Sequence, residues 1–310
     1  MMQGTLKTLM AVVALLTFSS AAMGVDMATN HWQLDGDLLD AVGSNDGSAF
    51  GAGNFSSSTE VSGSVIFDPQ TGSVRPNTGS VKFNGGGSWS DRGINVGALE
   101  VMDSYWKPFT VEVLFKAPPG QKEESPLFSR LKGDPQDKSQ RHVLGFTEDP
   151  DDLFVVMQVF DIPAPSNTFF KTDTEPVTDS EWHHAAFTYE HSGDRWDLGG
   201  GETNTLKQSL WLDYQFVTSQ TIVMEAPLQR DPNNHAVHLP SPDPGLIGGA
   251  KFHPNPGLVG VNVDEVRILN YAVPEGANGL DHFLQPDVPE PATLSLIGFG
   301  LLAVLRRHRR

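Results

Sequence analysis

Short stretches in which apolar and polar residues alternate recur along the middle of the chain. The clearest is Phe109–Lys116, which places three apolar side chains on one face and Thr110, Glu112 and Lys116 on the other. A period of two is typical of a β-strand buried on one side. Leu153–Phe160 is nearly continuously apolar, as expected of a strand buried on both faces. Further strands are predicted at 181–189, 209–217, 246–249 and 261–269.

Turn residues separate these strands, and no long stretch has the period of a helix. The chain contains 31 glycines and 22 prolines, and many short strands with such punctuation predict an all-β fold, a two-sheet antiparallel jelly-roll sandwich. No repeat or linker divides this region, and one all-β domain can reach about 250 residues. The absence of cysteine excludes thiol catalysis and cysteine-ligated metals.

The N-terminus has the layout of a secretory signal peptide. Lys7 precedes an apolar core at Leu9–Phe18, and small residues follow at Ser19–Gly24. This order predicts a signal peptide at 1–24, with cleavage after Ala22 or Gly24 and export through the inner membrane.

The C-terminus combines three elements in a fixed order. Pro289-Glu290-Pro291 is followed by the apolar run Ala292–Leu305 and then by a basic cluster of Arg306, Arg307, Arg309 and Arg310. The run predicts a short apolar helix, although a stable membrane span needs roughly 20 residues. The arginines place its end on the cytoplasmic side. An ordinary C-terminal anchor or amphipathic helix has a similar composition.

This tail resembles the PEP-CTERM sorting signal of exopolysaccharide-producing Gram-negative bacteria. In that family a membrane protease, exosortase, recognises the tail, cuts near Pro-Glu-Pro and removes it. The resemblance implies transient membrane contact through the tail, an exosortase-type partner, and a final location at the cell surface or in the extracellular matrix. It divides the chain into the signal peptide 1–24, a folded domain 25–285 and a sorting tail 286–310.

Several segments of the domain resemble the LamG-like, concanavalin A-like jelly rolls. They are His31–Asp35, Asp40–Gly47, Ser80–Gly85, Phe109–Lys116, Glu181–Tyr189, Leu246–Gly249 and Val261–Asn270. Tyr214 departs from the family, which usually has a turn glycine there. Gly193–Gln208 and Ala226–Pro244 are longer than a compact member needs, and we expect them to be loops.

Alternation and resemblance together predict the residues of the packed interior. Val263 and Val266 are both expected inside, although residues three apart cannot share a face in an undistorted strand. Trp32 is expected in the core as well. The full predicted set is Phe83, Val111, Val113, Phe115, Trp182, His184, Ala186, Val263, Val266 and Ile268.

The charge of the chain restricts its partners. The formal net charge is −17, so the surface repels nucleic acid and anionic lipid. Divalent cations and neutral polysaccharide are compatible with such a surface, and solubility outside the cell explains the acidity equally well.

Catalysis requires a carboxylate pair that this sequence does not show. The concanavalin A-like fold includes glycosidases, whose two carboxylates lie about 5–9.5 Å apart. No alternating Glu-x-Asp-x-Glu string is present, and the neighbours Asp264 and Glu265 are expected on opposite faces of a strand. His183 and His184 diverge for the same reason and cannot share a metal; the resemblance implies structural roles for both. We therefore predict a protein that is not an enzyme.

Calcium is a possible structural cofactor in this family. Ca²⁺ takes 6–8 oxygen ligands, usually gathered from turns. Asp35, Asp46 and Asp264 are the candidate ligands, because related domains hold an ion near the junction of the first and last strands. The alternative is that these aspartates cap turns through their own hydrogen bonds.

Sugar binding is expected to rely on aromatic rings in loops. Trp196, Trp89 and Tyr214 are the candidates, because exposed rings offer rigid apolar area to the faces of sugars. Each of them could instead be a half-buried ring that covers the edge of the sandwich.

The sequence thus predicts an exported, exosortase-sorted surface or matrix protein whose non-catalytic LamG-like domain binds polysaccharide. Two alternatives remain open: a glycan-active hydrolase of the same fold, and an adhesin or scaffold that binds protein partners.

Overall fold

A computed structural model describes residues 28–49, 55–85, 93–102, 107–121, 125–131, 140–146, 153–159, 167–171, 177–192, 204–224, 244–249 and 258–287. The predicted signal peptide and the apolar helix of the tail lie outside these ranges. Within them, no helix is long and apolar enough to cross a membrane.

The regular secondary structure of the described residues is β-strand, apart from one 3-10 turn at Gly279–Asp281. In chain order the strands are β1 Ala28–Trp32, β2 Ser48–Ala49, β3 Phe55–Ser58, β4 Val65–Asp68, β5 Ser73–Pro76, β6 Ser80–Asn84, β7 Ile94–Asn95, β8 Phe109–Lys116, β9 Pro126–Leu131, β10 Gln140–Phe146, β11 Leu153–Val159, β12 Asn167–Lys171, β13 Trp182–Ser192, β14 Asn204–Leu212, β15 Gln215–Met224, β16 Gly245–Ile247, β17 Val259–Leu269 and β18 Gln285–Pro286.

Two large antiparallel sheets and one small sheet contain these strands. The first sheet has the order β15-β14-β13-β8-β17-β6-β3, with β1 also paired to β17. The second has the order β12-β11-β10-β9-β16-β7-β2, and a small third sheet has the order β18-β4-β5. The predicted all-β, antiparallel sandwich is therefore confirmed, and the third sheet is an addition that the sequence pattern did not predict.

The main core lies between the two large sheets. From the first sheet, β8 and β13 contribute inward-facing residues such as Val111, Val113 and Phe187. From the second, Phe128 and Phe146 face them in the same buried cluster. The alternation in β8 therefore decides which face becomes the core, and the predicted interior positions of this strand are confirmed.

A second buried layer covers the opposite face of the first sheet. Here Ala186 and Trp211 pack with Phe283, while Leu114 packs with Leu284 of the C-terminal segment. His184 and Ala186 are buried as predicted, but in this outer layer rather than between the large sheets. Trp182 is only half buried, so its prediction as a core residue was wrong.

A β-bulge in β17 explains why two valines three residues apart share a face. Val263 pairs with Phe115, and Glu265 pairs with the next residue of β8, Leu114, so Asp264 is the extra residue. Such an insertion shifts the alternation by one position. Val263 and Val266 are consequently both buried in the main core.

A two-residue hairpin turn divides the segment that was predicted as one strand at 209–217. β14 ends at Leu212 and β15 begins at Gln215, so the prediction of a single strand was wrong. Asp213 and Tyr214 have φ angles of 46° and 68°, the left-handed pair that suits such a turn. Asn204–Gln208, expected to be loop, is the beginning of β14.

Candidate functional site: a cleft at the Asp40 turn

A single carboxylate organises the turn that follows β1. Asp40 Oδ1 accepts hydrogen bonds from the backbone N–H groups of His31 at 2.8 Å and Gly43 at 2.9 Å. Asp40 Oδ2 accepts from Asn30 Nδ2 at 2.6 Å and from Asn45 N at 3.2 Å. Burial alone would raise the pKa of Asp40, but these donors outweigh it and lower the pKa. The ionised side chain therefore fixes the path of the turn.

The close packing of this turn requires glycine at position 43. A Cβ atom on Gly43 would lie 2.4 Å from Asp40 Oδ2 and 2.6 Å from the carbonyl oxygen of Thr29. Asn45 then joins the turn to the next loop, because its Nδ2 donates to Ala98 O at 2.9 Å. Trp32 Nε1 donates to Asn45 O at 2.8 Å, which attaches the turn to the core.

An open cleft of about 630 Å³ lies beside this turn. Its polar groups come from separate elements: β1, the Asp40 turn, the segment after β7, the residues before β8 and the end of β17. The lining residues are Thr29, Asn30, Gly43, Ser44, Asn45, Ala98, Glu100, Val101, Lys107, Pro108 and Asn270.

The chemistry of this lining suits a ligand with many hydroxyl groups. An asparagine amide offers two donors and one acceptor together, and Asn45 and Asn270 both line the cleft. Glu100 adds an acceptor and Lys107 adds a donor, and both side chains are exposed. Val101 contributes apolar surface. The sequence prediction missed Glu100, Lys107 and Asn270, because only the fold brings their three segments together.

The three aspartates predicted as calcium ligands have other partners. Asp35 accepts the Thr78 N–H at 2.8 Å and pairs with Arg75 at 3.1 Å. Asp46 lies in the Asp40 turn, where it accepts the Asp40 N–H at 3.0 Å. Among the described residues, no three His, Asp or Glu side chains are grouped as metal ligands. Asp35 and Asp46 thus accept hydrogen bonds from protein groups, and their predicted role as calcium ligands stays a prediction.

Asp264, the third of these aspartates, is a buried acid at the bulge of β17. Its Oδ2 accepts from Ser62 N at 2.6 Å and from Asn77 Nδ2 at 2.7 Å, whereas its Oδ1 has no partner. Burial and the neighbouring Glu265 raise the pKa of Asp264 to about 7. Glu265 pairs with Arg75 of the same segment, residues 62–77. Because of the bulge, Asp264 and Glu265 therefore lie on one face of the sheet, and the expectation that they face opposite ways was wrong.

A second buried carboxylate, Glu112, lies at the centre of the outer layer. It pairs with Arg267, lies 3.1 Å from His184 Nε2 and accepts the Leu284 N–H at 3.0 Å. Burial raises the pKa of Glu112, but the charge of Arg267 and the His184 contact outweigh burial and lower it to about 2. Glu112 is 1% exposed, so it serves the packing of the C-terminal segment and does not face the cleft.

The two adjacent histidines diverge as predicted. His184 contacts Glu112, whereas His183 lies between Asp213 at 2.9 Å and Asp179 at 3.1 Å. Burial lowers the pKa of His183, but its bonds to the two aspartates outweigh burial, so the pKa is raised.

Of the three aromatic residues predicted to bind sugar, the structure describes only Tyr214. Its ring stacks on His184, so one face is already covered by protein, and it is half buried. Tyr214 does not line the cleft beside the Asp40 turn. Trp89 and Trp196 lie outside the described residues, and their predicted role stays a prediction.

The comparison with protein families identifies the end of the chain. Residues 287–310 match the family model of the PEP-CTERM protein-sorting motif. The chain carries a PEP-CTERM sorting motif. The predicted elements Pro289, Glu290, Pro291, Arg306, Arg307, Arg309 and Arg310 all fall within the matched range. This motif marks proteins that are exported and sorted to the cell surface or extracellular matrix, so the predicted location is confirmed.

The solved structures that follow are similar to the folded region with TM-scores below 0.5, which identify neither a family nor a function. Trypanosoma rangeli sialidase in complex with 2,3-difluorosialic acid is 16% identical, with a TM-score of 0.48, over 84% of this chain and 33% of the sialidase. The chain thus spans a third of that protein. Domain 4 of AbnA, a GH43 extracellular arabinanase from Geobacillus stearothermophilus, in complex with arabinotriose, is 14% identical, with a TM-score of 0.43, over 83% of this chain and 98% of that domain.

The CBM40 of Ruminococcus gnavus IT-sialidase bound to α2,3 sialyllactose is 9% identical, with a TM-score of 0.41, over 65% of this chain and 94% of that one. No curated protein matches the sequence. At these identities and TM-scores, the structural neighbours do not bear on the ligand of this protein.

The PEP-CTERM motif begins at Asp287, the last residue of the domain that the structure describes. β18 pairs with β4 through Gln285↔Phe67 and Pro286↔Ile66. Asp287 then donates its N–H to Val65 O at 2.9 Å. Its Oδ1 accepts from Ser64 N at 2.6 Å and from Ser64 Oγ at 3.0 Å. We refer to Gln285–Asp287 and their partners Gly63–Phe67 as the C-terminal clasp.

Proposed function

We propose that this sorted surface protein binds polysaccharide without cleaving it, and that the ligand occupies the cleft at the Asp40 turn. The observation that carries the proposal is the lining of the cleft, in which amides, hydroxyls and single charges from five separate segments converge on one space. Sugars present closely spaced hydroxyl groups that donate and accept at once, which asparagine amides can match. The volume of about 630 Å³ is within the range of roughly 300–1,000 Å³ that is common for ligand sites.

The arrangement of carboxylates supports binding rather than hydrolysis. Among the described lining residues, Glu100 is the only carboxylate, whereas glycoside hydrolysis normally uses two. The buried acids Glu112, Asp264 and Glu265 are at most 1% exposed and contact protein donors instead of the cleft. The acidic character of the chain also favours a neutral polysaccharide over an anionic one.

Calorimetric titration of the exported protein with the exopolysaccharide of its own host tests the proposal. Asn270→Ala and Glu100→Ala remove one polar group each from exposed positions in the cleft. We expect each change to weaken binding about three- to tenfold, because each removes a hydrogen bond to ligand. Glu181→Ala, at an exposed position that does not line the cleft, is the matched control and should bind like wild type.

Three results would contradict the proposal. Unchanged affinity in both cleft variants would show that the polysaccharide binds elsewhere. Release of reducing ends during the titration would show that the protein is a hydrolase, the leading alternative. Binding to a host surface protein with no affinity for any glycan would favour the adhesin alternative.

A further inference from the structure

The C-terminal clasp lies unusually close to the part of the chain that is processed. Asp287 is both the last residue of the clasp and the first residue of the matched sorting motif. In the sequence, only Val288 separates it from Pro289 of the Pro-Glu-Pro element. The described contacts of the clasp therefore lie one residue before the Pro-Glu-Pro element, near which exosortase-type proteases cut.

The segment that leads into the clasp is firmly anchored. Phe283 is 0% exposed and packs against His184 and Trp211, with ring centroids 4.6 Å and 5.5 Å apart. Leu284 is 1% exposed and donates its N–H to Glu112 at 3.0 Å. Separating these residues from the sheet would expose large apolar side chains, which is strongly unfavourable.

The clasp itself is held much less strongly. Pro286 cannot donate a backbone hydrogen bond, and Asp287 is exposed. Beyond the short ladder with β4, the two sides of the clasp are joined by the Asp287 N–H bond to Val65 and by the two bonds from Ser64 to the Asp287 carboxylate. Hydrogen bonds of this kind contribute little net stability each. Opening of the clasp is therefore a local event that leaves Leu284 in place.

Gly63 packs directly against Asp287 in the clasp. A Cβ atom on Gly63 would lie 2.7 Å from Asp287 Cγ and 2.7 Å from Asp287 N. The absence of a side chain at position 63 lets Asp287 lie directly against the β4 side of the clasp. A larger residue there would push Asp287 outward.

We propose that the C-terminal clasp must open before the sorting protease can cut the tail, so that the stability of the clasp sets the rate of tail removal. A protease binds the residues on both sides of the bond it cuts in an extended conformation. With only Val288 between the clasp and Pro289, the residues on the domain side of the cut include those that β4 holds. When the clasp opens, the four residues 285–288 become a tether of roughly 13 Å beyond Leu284.

The proposal makes tail removal depend on a local equilibrium. When opening and closing are fast relative to cutting, the cutting rate follows the population of the open form. Weakening the clasp raises the population of the open form. Lengthening the chain between the clasp and the motif gives the protease free residues while the clasp is closed, so the cutting rate no longer depends on that population. The inference rests on the sorting motif and the clasp, and it is independent of what the cleft binds.

Pulse-chase labelling of the full-length protein in its sorting host, with intact-mass analysis of the product, tests this inference. Asp287→Ala removes both Ser64 bonds, and we expect tail removal to become about three- to tenfold faster. Asp281→Ala, an exposed aspartate outside the clasp, is the matched control and should be processed at the wild-type rate. A third variant carries six Gly/Ser residues inserted between Asp287 and Val288, which leaves every clasp contact intact.

The insertion distinguishes opening of the clasp from a general loosening of the domain. We expect the inserted chain to be processed at least as fast as the Asp287→Ala variant, and the Asp287→Ala change to have no added effect in the inserted chain. Wild-type rates in either variant would overturn the proposal. So would an Asp287→Ala acceleration that is equally large in the inserted chain, because the clasp would then no longer limit the cut.

Discussion

Tyr214 stacks on His184 with ring centroids 4.7 Å apart and ring planes 13° from parallel. This contact accounts for a tyrosine at a position where a left-handed backbone favours glycine. Tyr214 has a φ of 68°, and the neighbouring Asp213 accepts the His184 N–H at 2.9 Å. Both residues of the turn thus attach to the same histidine, and their side-chain contacts offset the strain of the backbone.

Replacing Tyr214 by alanine and by glycine separates these two effects. Tyr214→Ala loses the stacking and keeps the backbone strain, so we expect the free energy of unfolding to fall by about 2–3 kcal/mol. Tyr214→Gly loses the same ring but relieves the strain, and it should be about 1 kcal/mol more stable than the alanine variant. Urea unfolding measures both values. An alanine variant as stable as the glycine variant would show that the turn is not strained.

The stability of the protein should depend on pH through Asp264. Its pKa is about 7 in the folded protein against 3.8 for the ordinary group, so between these pH values the folded state holds a proton that the unfolded state has released. Unfolding free energy should therefore fall as pH rises from about 4 to 7, by at most about 1.4 kcal/mol per pH unit from this group, and level off above.

Asp264→Asn should remove this dependence. The amide stays neutral at every pH, so the stability difference between variant and wild type should grow in favour of the variant up to about pH 7 and then stay constant. Thermal melting at a series of pH values measures it. If the melting temperatures of variant and wild type changed in parallel with pH, Asp264 would not be the source of the pH dependence.

The tryptophans differ in what they contribute to stability. Trp211 is 1% exposed and packs on Phe283 at 5.5 Å, so Trp211→Ala should lower the unfolding free energy by about 3–5 kcal/mol. Trp182 is half buried, so Trp182→Ala should lower the unfolding free energy by about half as much as Trp211→Ala. Equal losses in urea unfolding would show that Trp182 is a core residue after all.

Trp196 remains a predicted sugar platform, and its variants should affect binding alone. Trp196→Ala should weaken binding of the host exopolysaccharide while shifting the melting temperature by no more than a degree or two, because a solvent-facing ring adds little to the core. Trp196→Phe keeps a ring and should retain most of the affinity. Unchanged affinity in the alanine variant would leave the cleft at the Asp40 turn as the binding surface.

Local sequence patterns predicted those parts of the fold that local physics determines. β8 begins and ends at the predicted residues, because the alternation of large apolar side chains, interrupted only by Leu114, leaves one way to bury Val111, Val113 and Phe115 together. The hairpin at Asp213–Tyr214 was missed because its turn lacks the glycine or asparagine that usually marks one. The two valines of β17, three residues apart, did contain a signal of the bulge, since both had to be buried.

The candidate site was less predictable than the fold. The turn at Asp40–Gly47 was visible in the sequence through its resemblance to the LamG-like jelly rolls. Glu100, Lys107 and Asn270 have no such pattern around them, and they meet only because their loops lie at the same end of the sandwich. Sites assembled from distant loops depend on tertiary structure, which a single sequence does not reveal.

The bulge at Asp264 makes this strand tolerant of length change at one position. Because Asp264 is the extra residue against β8, a chain that lacked it would pair in a regular ladder with Glu265 and Val266 still on their present faces. Deletion of Val266 would instead move Arg267 and Leu269 from the face of the sheet that they now share to the other face. The ladder therefore does not require Asp264. Its side chain instead accepts hydrogen bonds from Ser62 and Asn77 and so connects β17 to the segment between them.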